Sequence, residues 1–329
     1  MSQTHHTTAP GATPDLDAEY RQIREECGLL HRMGRFSITV SGSEAAEYLQ
    51  GQVTNDVETL AAGSGCYAAL LDRKGHMQAD MRILRVEDET FWLDIEEQVG
   101  KRVLKHLSMY KIGRDATVEQ ADRQIISLIG PGAIEVAGLA PGDEYSSTAA
   151  TIAGTECVVV ATDLGLDVIV ESDGADAVIS ELETRRAIPV SPEAVEVLRV
   201  ESGRPRFGRD MTEKSMPAEA GIVETAVNFT KGCYIGQEPV ARLHYRGKPN
   251  RHLRGLRFKA PAEAGATVRL GERELGTVGT SVLSPASGAI GMAILRKEAE
   301  PGATVTVETG SGPVEAVVVD LPFIEDPLS

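Results

Sequence analysis

The stretch TKGCYIGQEPVAR at residues 230–242 sets one thiol, Cys233, between a lysine-glycine pair and a tyrosine, with a second glycine three residues on. Glycines on both sides let the backbone bend closely around a ligand, and Lys231 with the nearby arginines favours the thiolate, which is the nucleophilic form. Cys233 therefore reads as a reactive residue facing a site. Cys27, Cys66 and Cys157 each adjoin apolar runs and read as small buried hydrophobes. No two of the four cysteines form a CxxC pair, so neither a zinc knuckle nor a cluster framework is written here, and one thiol cannot hold an iron-sulfur cluster by itself.

A second local signal is charge. Residues 242–259 contain Arg242, Arg246, Lys248, Arg251, Arg254, Arg257 and Lys259 and no acid, in a chain of net charge −16. Arg204, Arg206 and Arg209 form a smaller cationic group upstream. Such islands suit a multivalent anion, whether a phosphate, an RNA end or a polycarboxylate tail, or else form a solvated face. An RNA-binding module built on 242–259 is one function class this leaves open. The acidity of the whole chain argues against nucleic acid or anionic lipid as a general partner. There is no GxSxG elbow, Walker A loop, HExxH helix or GxGxxG fingerprint, and the seven histidines show no ligand spacing, so no metal site is expected.

The elements that must position these residues can be read from periodicity. A chain of 329 residues suggests two or three domains, and aromatics at 4% imply largely aliphatic cores. No run approaches the roughly 18 to 20 apolar residues of a membrane span, and the N-terminus lacks a signal peptide's apolar stretch. Residues 1–14 read as a disordered tail and the protein as cytoplasmic. Residues 15–120 form a first α+β module: a strand at 35–40, a helix at 43–50 capped by Ser43, strands at 66–71, 77–86 and 90–95, a helix at 97–109 and a strand at 115–119. Residues 121–250 repeat that order, with strands at 124–130, 156–161 and 166–171, helices at 132–138 and 174–186, and a third helix ended by Gly203. A long irregular region follows, the kind of segment that carries sites. From 251 to 329, short strands between Gly, Pro and Ser turns read as a separate small β-barrel or sandwich.

The run LRVESGRPRFGRDMTEKSMPAEAGIVETAVNFTKGCYIGQEPVAR resembles the signature of the YgfZ-type folate-binding proteins, relatives of the aminomethyltransferase (T-protein) of the glycine cleavage system. EYLQGQVTNDV (47–57), LLDRKGHMQADMRI (70–83) and GMAILRKEAEPGATVTV (291–307) also look like family segments. T-proteins carry an aspartate-phenylalanine pair where this chain has Cys233 and Tyr234, which separates the two branches.

The resemblance implies a three-domain ring, two antiparallel-sheet α+β modules and a C-terminal β-barrel, around a channel for tetrahydrofolate or a one-carbon derivative. In this family the first segment can pack with the region after 190, so the modules can interleave. The resemblance places Glu201 on the pterin edge and Asp80 beside the reactive nitrogens, although the acid preceding it in the T-protein motif is absent. Arg242 would meet the glutamate tail, with Lys231 and Tyr234 as further cofactor contacts. It implies a folate-binding accessory factor supporting iron-sulfur cluster assembly or repair in client enzymes, including tRNA-modifying ones, with Cys233 as its functional thiol. The alternative is a folate-dependent aminomethyltransferase or demethylase in which Asp80 acts on the folate nitrogen.

Overall fold

The computed structural model describes residues 15–328, so the tail expected at 1–14 lies outside the described residues. Alternation of apolar and polar side chains produces the first sheet. Phe36, Ile38 and Val40 point into one core with Phe91, Leu93, Ile95, Met81 and Ile83, while the intervening residues face away from it. Its strands lie in the order Ser64–Leu71, Met77–Glu87, Thr90–Glu96, Arg35–Ser41, Thr117–Ala121, all antiparallel. The helix Glu97–Tyr110 covers the apolar face through Val99, Val103 and Leu107.

The second sheet repeats this order. Ser147–Ile152, Thr155–Thr162, Gly165–Glu171 and Arg123–Ile129 pair in turn, and the next place is taken by Gly28–Arg32, followed by a short parallel strand Ile188–Pro189. Two chain segments thus cross between the sheets. Gly28–Arg32 belongs to the second sheet and Arg35–Ser41 to the first, while Thr117–Ala121 belongs to the first and Arg123–Ile129 to the second. These crossings hold the two sheets together at a seam.

The modules expected at 15–120 and 121–250 are interleaved in the packing, whereas the break at 250 coincides with the start of the third sheet at Arg251. Besides the strand at 28–32, the helix Leu16–Glu25 packs through Tyr20 and Ile23 against the helix Pro192–Glu201. Phe207, Met211, Ile222, Tyr234 and Val240, from the supposed second module, are buried in the core of the first. The cause is apolar side chains spaced through a Gly- and Pro-rich stretch, which lies along the first sheet mostly as irregular chain and two helices, Val223–Ala226 and Gln237–Arg246.

A curled seven-stranded antiparallel sheet, Arg251–Phe258 to Gly312–Val319, forms the C-terminal half-barrel around its own aliphatic core. Ser43 does not cap the helix Ala45–Gln50. Its hydroxyl donates to Asp115 at 2.6 Å, because the turn before the helix is pinned to the backbone of Asp115. Among the described residues no helix is long and apolar enough to cross a membrane.

Candidate functional site

Along Met77–Glu87 the residues that leave the first core are Asp80, Arg82 and Leu84, and all three enter the seam between the sheets. Leu84 joins Ile125, Val160 and Ile169 of the second sheet in an apolar plug. One step along, Arg82 donates to Asp167 of the second sheet at 2.7 Å and to Asp94 at 3.0 Å. Arg35 continues the network to Asp94 at 2.7 Å and Glu96 at 2.5 Å, and Arg206 also reaches Glu96, at 3.0 Å.

Asp80 sits at the far end of this gradient, accepting a hydrogen bond from the Tyr67 hydroxyl at 2.7 Å. Burial pushes its carboxyl up to about 6, against the pull of Tyr67 and Arg35, whereas burial together with Asp80 drives Tyr67 well above its ordinary value and keeps it a donor. A half-buried carboxyl that changes charge near neutrality suits proton transfer. Asp80 pairs with Ala69, and just beyond this pair a β-bulge between Leu70 and Leu71 interrupts the ladder.

The sign of the resulting pH dependence follows directly. The folded pKa lies above the ordinary 3.8, so the charged form carries a cost that is absent below that value and complete above about 6. Asp80→Asn is accordingly expected to raise the unfolding free energy by on the order of 2 kcal/mol at pH 8, with the gain vanishing towards pH 4. Urea titrations at the two pH values check this.

The cysteine loop builds a second feature. A cavity of about 560 Å³ is lined by Cys233 and Tyr234, together with Gln78, His106, Tyr110 and Arg73. Cys233 is exposed, whereas Cys27 and Cys157 are buried. The loop ends in a helix, Gln237–Arg246, where an irregular region was expected. Pro239 is tolerated there because it falls in the first turn, whose N–H groups need no helical partner. Gly236 before it has φ of 86°, and a Cβ would lie 2.5 Å from the carbonyl of Asp72, so only glycine fits. At Gly232 a Cβ would meet open space, so the tight bend expected on both sides of the thiol is needed on one side only.

Lys231 does not serve the thiol. Its ammonium is buried and donates to the carbonyls of Gln50, Val53 and Asn55 at 2.6, 2.7 and 3.0 Å, which occupies all three protons. It also lies 5.0 Å from the centre of the Tyr234 ring. Burial lowers its pKa to about 8. Lys231 is therefore a clamp between the cysteine loop and residues 50–55, a role that a basic residue in a flexible-looking turn does not advertise. Tyr234 is 7% exposed, and its hydroxyl has no hydrogen-bond partner among the described residues.

Glu201 lies apart from both features. It ends the helix Pro192–Glu201, which Ser191 caps by accepting from the Ala194 N–H at 3.3 Å. Its carboxylate is 0% exposed and accepts from the hydroxyls of Tyr20, at 3.0 Å, and Ser284. It thus joins the N-terminal helix to the half-barrel, and in this arrangement it offers no open edge to a pterin.

Arg242 is exposed on the helix Gln237–Arg246 and lines neither feature. The cationic island divides in space: Arg254 pairs with Asp320, Lys259 with Glu315, and Arg257 lies over the Phe323 ring. Tyr67, Arg35, Arg82, Asp94 and Asp167 were not singled out from sequence. The available signal was the run of polar residues at every second position of otherwise apolar strands.

Residues 4–231 match the family model described as the GCVT N-terminal domain, and residues 251–325 match the glycine cleavage T-protein C-terminal barrel domain. An uncharacterized protein of Haemophilus influenzae is 28% identical over 229 residues, which span 69% of this chain and 72% of that protein. The aminomethyltransferase of Halothermothrix orenii is 26% identical over 343 residues, covering 98% of this chain and 96% of the enzyme. The crystal structure of the glycine cleavage system aminomethyltransferase T from Bartonella henselae superposes with a TM-score of 0.85 at 22% identity, covering 94% of this chain and 90% of that one, so the two share a fold. With both domain models matched in order along the chain, this protein belongs to the GCVT family, that of the glycine cleavage T-protein.

Proposed function

We propose that this protein binds tetrahydrofolate or a one-carbon derivative and acts as a YgfZ-type accessory factor that supports iron-sulfur cluster assembly or repair in client enzymes, tRNA-modifying ones included. The observation that carries this reading is the exposed thiol of Cys233 at a cavity rim, within KGCYIGQE, where T-proteins have an aspartate-phenylalanine pair. Folate is proposed to bind in the seam, its reactive nitrogens near Asp80 and its glutamate tail towards cationic groups such as Arg242. The carboxyl of Asp80 would hold or release a proton there, with Tyr67 fixing its orientation.

Calorimetric titration with tetrahydrofolate and its 5-formyl derivative tests the ligand. Saturable binding is expected, weakened about tenfold or more by Asp80→Asn through loss of one charge-assisted contact. Glu201→Gln should change it far less, since that carboxylate is already taken by Tyr20 and Ser284. A folded protein that shows no saturable binding removes the folate reading. The accessory role is tested in cells lacking the protein: cluster-enzyme activity under oxidative stress should be restored by the wild type and not by Cys233→Ser.

The raised carboxyl of Asp80 favours a second reading, folate-dependent aminomethyl transfer, in which this group serves as the acid or base. Methylenetetrahydrofolate formed from an aminomethyl donor, and lost in Asp80→Asn, would decide for it.

A further inference from the structure

We propose that the C-terminal end of the helix Gln237–Arg246 and the chain that leaves it form a binding site for single-stranded nucleic acid, with phosphates on Arg242, Arg246, Lys248 and Arg251 and a base stacked on Tyr245. Neither folate in the seam nor the Cys233 thiol is needed for it.

The cations are free to take an anion. Of the basic run, Arg254 and Lys259 are paired with Asp320 and Glu315, and Arg257 lies over the Phe323 ring. Arg242, Arg246, Lys248 and Arg251 are exposed, and none makes an ion pair or side-chain hydrogen bond among the described residues. Arg242 and Arg246 stand one turn apart on a single helix face, which Tyr245 shares. Glu238, the one acid of this helix, lies a turn before Arg242 and is not paired with it. The helix C-terminus carries only about half a negative charge, too little to balance the group. Arg251 also sits directly opposite Arg296 across two strands, where like charges repel, and Glu298 reaches Arg296 and Arg273 instead of Arg251.

A braced aromatic ring gives the ligand class. Tyr245 is 67% exposed, yet its ring packs edge-on to Phe229 at 5.7 Å and to His244 at 4.8 Å, and those two stack on each other at 4.0 Å. A large ring held open to solvent beside unpaired arginines suits a base that stacks while its phosphates meet the cations. An acidic peptide would use the cations and leave the ring idle. His244 also lines a shallow cavity of about 300 Å³ with Val223, Leu243, Gly247, Pro249 and Glu224. Glu224 is the only acid among its walls, so the cavity rejects a phosphate and accepts an uncharged, amino-bearing group such as a neighbouring base. The net charge of −16 does not forbid this, because charges beyond about 8 Å are largely screened at physiological salt.

Fluorescence anisotropy of the full chain with labelled oligouridine and oligothymidine, each of about ten nucleotides, tests the site. Binding is expected at about 50 mM salt, with the logarithm of the association constant falling against that of salt at a slope of about −3, or about 0.7 for each cation. Arg246→Gln with Lys248→Gln should halve the slope to about −1.5. Tyr245→Ala should weaken binding about tenfold and leave the slope in place, since stacking carries no charge. These positions are exposed, so the denaturation midpoints should stay unchanged. The tighter of the two strands tells whether the ligand is RNA or DNA, through contacts to the 2′-hydroxyl. The proposal is overturned if the folded protein binds neither strand at that salt, or if it holds a duplex as tightly as a single strand. It is equally overturned if an oligoglutamate peptide binds as tightly and is indifferent to Tyr245→Ala, which would make the patch a dock for an acidic protein.

Discussion

An Arg82→Met variant is expected to lose about 3 kcal/mol of unfolding free energy at pH 7, because it leaves the buried Asp167 carboxylate without its nearest cation, with only Arg32 at 3.8 Å and the Ser127 hydroxyl remaining. Asp167 is 4% exposed and faces Arg82 across the seam at 2.7 Å, and Asp94 loses its second guanidinium contact at the same time. Burial alone would push the Asp167 carboxyl up, but Arg82 and then Arg32 outweigh it and hold the group below its ordinary value. A carboxylate with a lowered folded pKa contributes stability above the unfolded value and loses it as pH falls through the folded one. The deficit should therefore be greatest near neutrality and narrow in acid. Denaturant titrations from pH 4 to 8 measure it. Arg82→Met with Asp167→Leu should recover most of the loss, since a well-packed apolar pair can replace a buried ion pair. If the single variant is as stable as wild type, the two sheets are not held at this point.

Lys231→Met should cost about 3 kcal/mol, as the two buried carbonyls of Gln50 and Val53 and the half-buried one of Asn55 lose a charged donor and each unpaired buried acceptor costs about 1–3 kcal/mol. Removing an ammonium whose pKa burial has already lowered to about 8 offsets part of that loss. The local consequence is larger than the global one. Gln50, Val53 and Asn55 no longer anchor the cysteine loop, and the cation over the Tyr234 ring is gone. Cys233→Ser, at an exposed position, should leave the denaturation midpoint unchanged. The pair of variants separates the frame of the loop from its thiol: the first lowers the midpoint, the second removes the thiol and leaves the midpoint in place.

Much of the local structure was legible in the residues. MQADMRILRV alternates so strongly that the strand Met77–Glu87 follows from it, and the short strands after residue 250 follow from their turn residues. These signals survive because strand periodicity and turn chemistry act over a few residues. Cys233 was separable from the other cysteines for a similar reason, its neighbours being polar and flexible where theirs are aliphatic. The helix Leu16–Glu25, the strand Gly28–Arg32 and the helix Gln237–Arg246 were not read, the last because Gly236 and Pro239 look like loop residues until one sees that they cap and open a helix.

Sequence by itself thus determined which side chains alternate on each strand and which thiol stands apart. Only the tertiary structure decided what covers each face. Asp80, Arg82 and Asp94 alternate with apolar residues on their own strands, and they become a polar seam because Gly28–Arg32 and Arg123–Ile129 carry the second sheet across them. Lys231 and Glu201 changed meaning in the same way, one clamped to carbonyls 176–181 residues away, the other to a tyrosine 181 residues away. Alternation is set by neighbouring residues, but burial and the pKa shifts that follow from it are set by whatever distant chain segment packs on top.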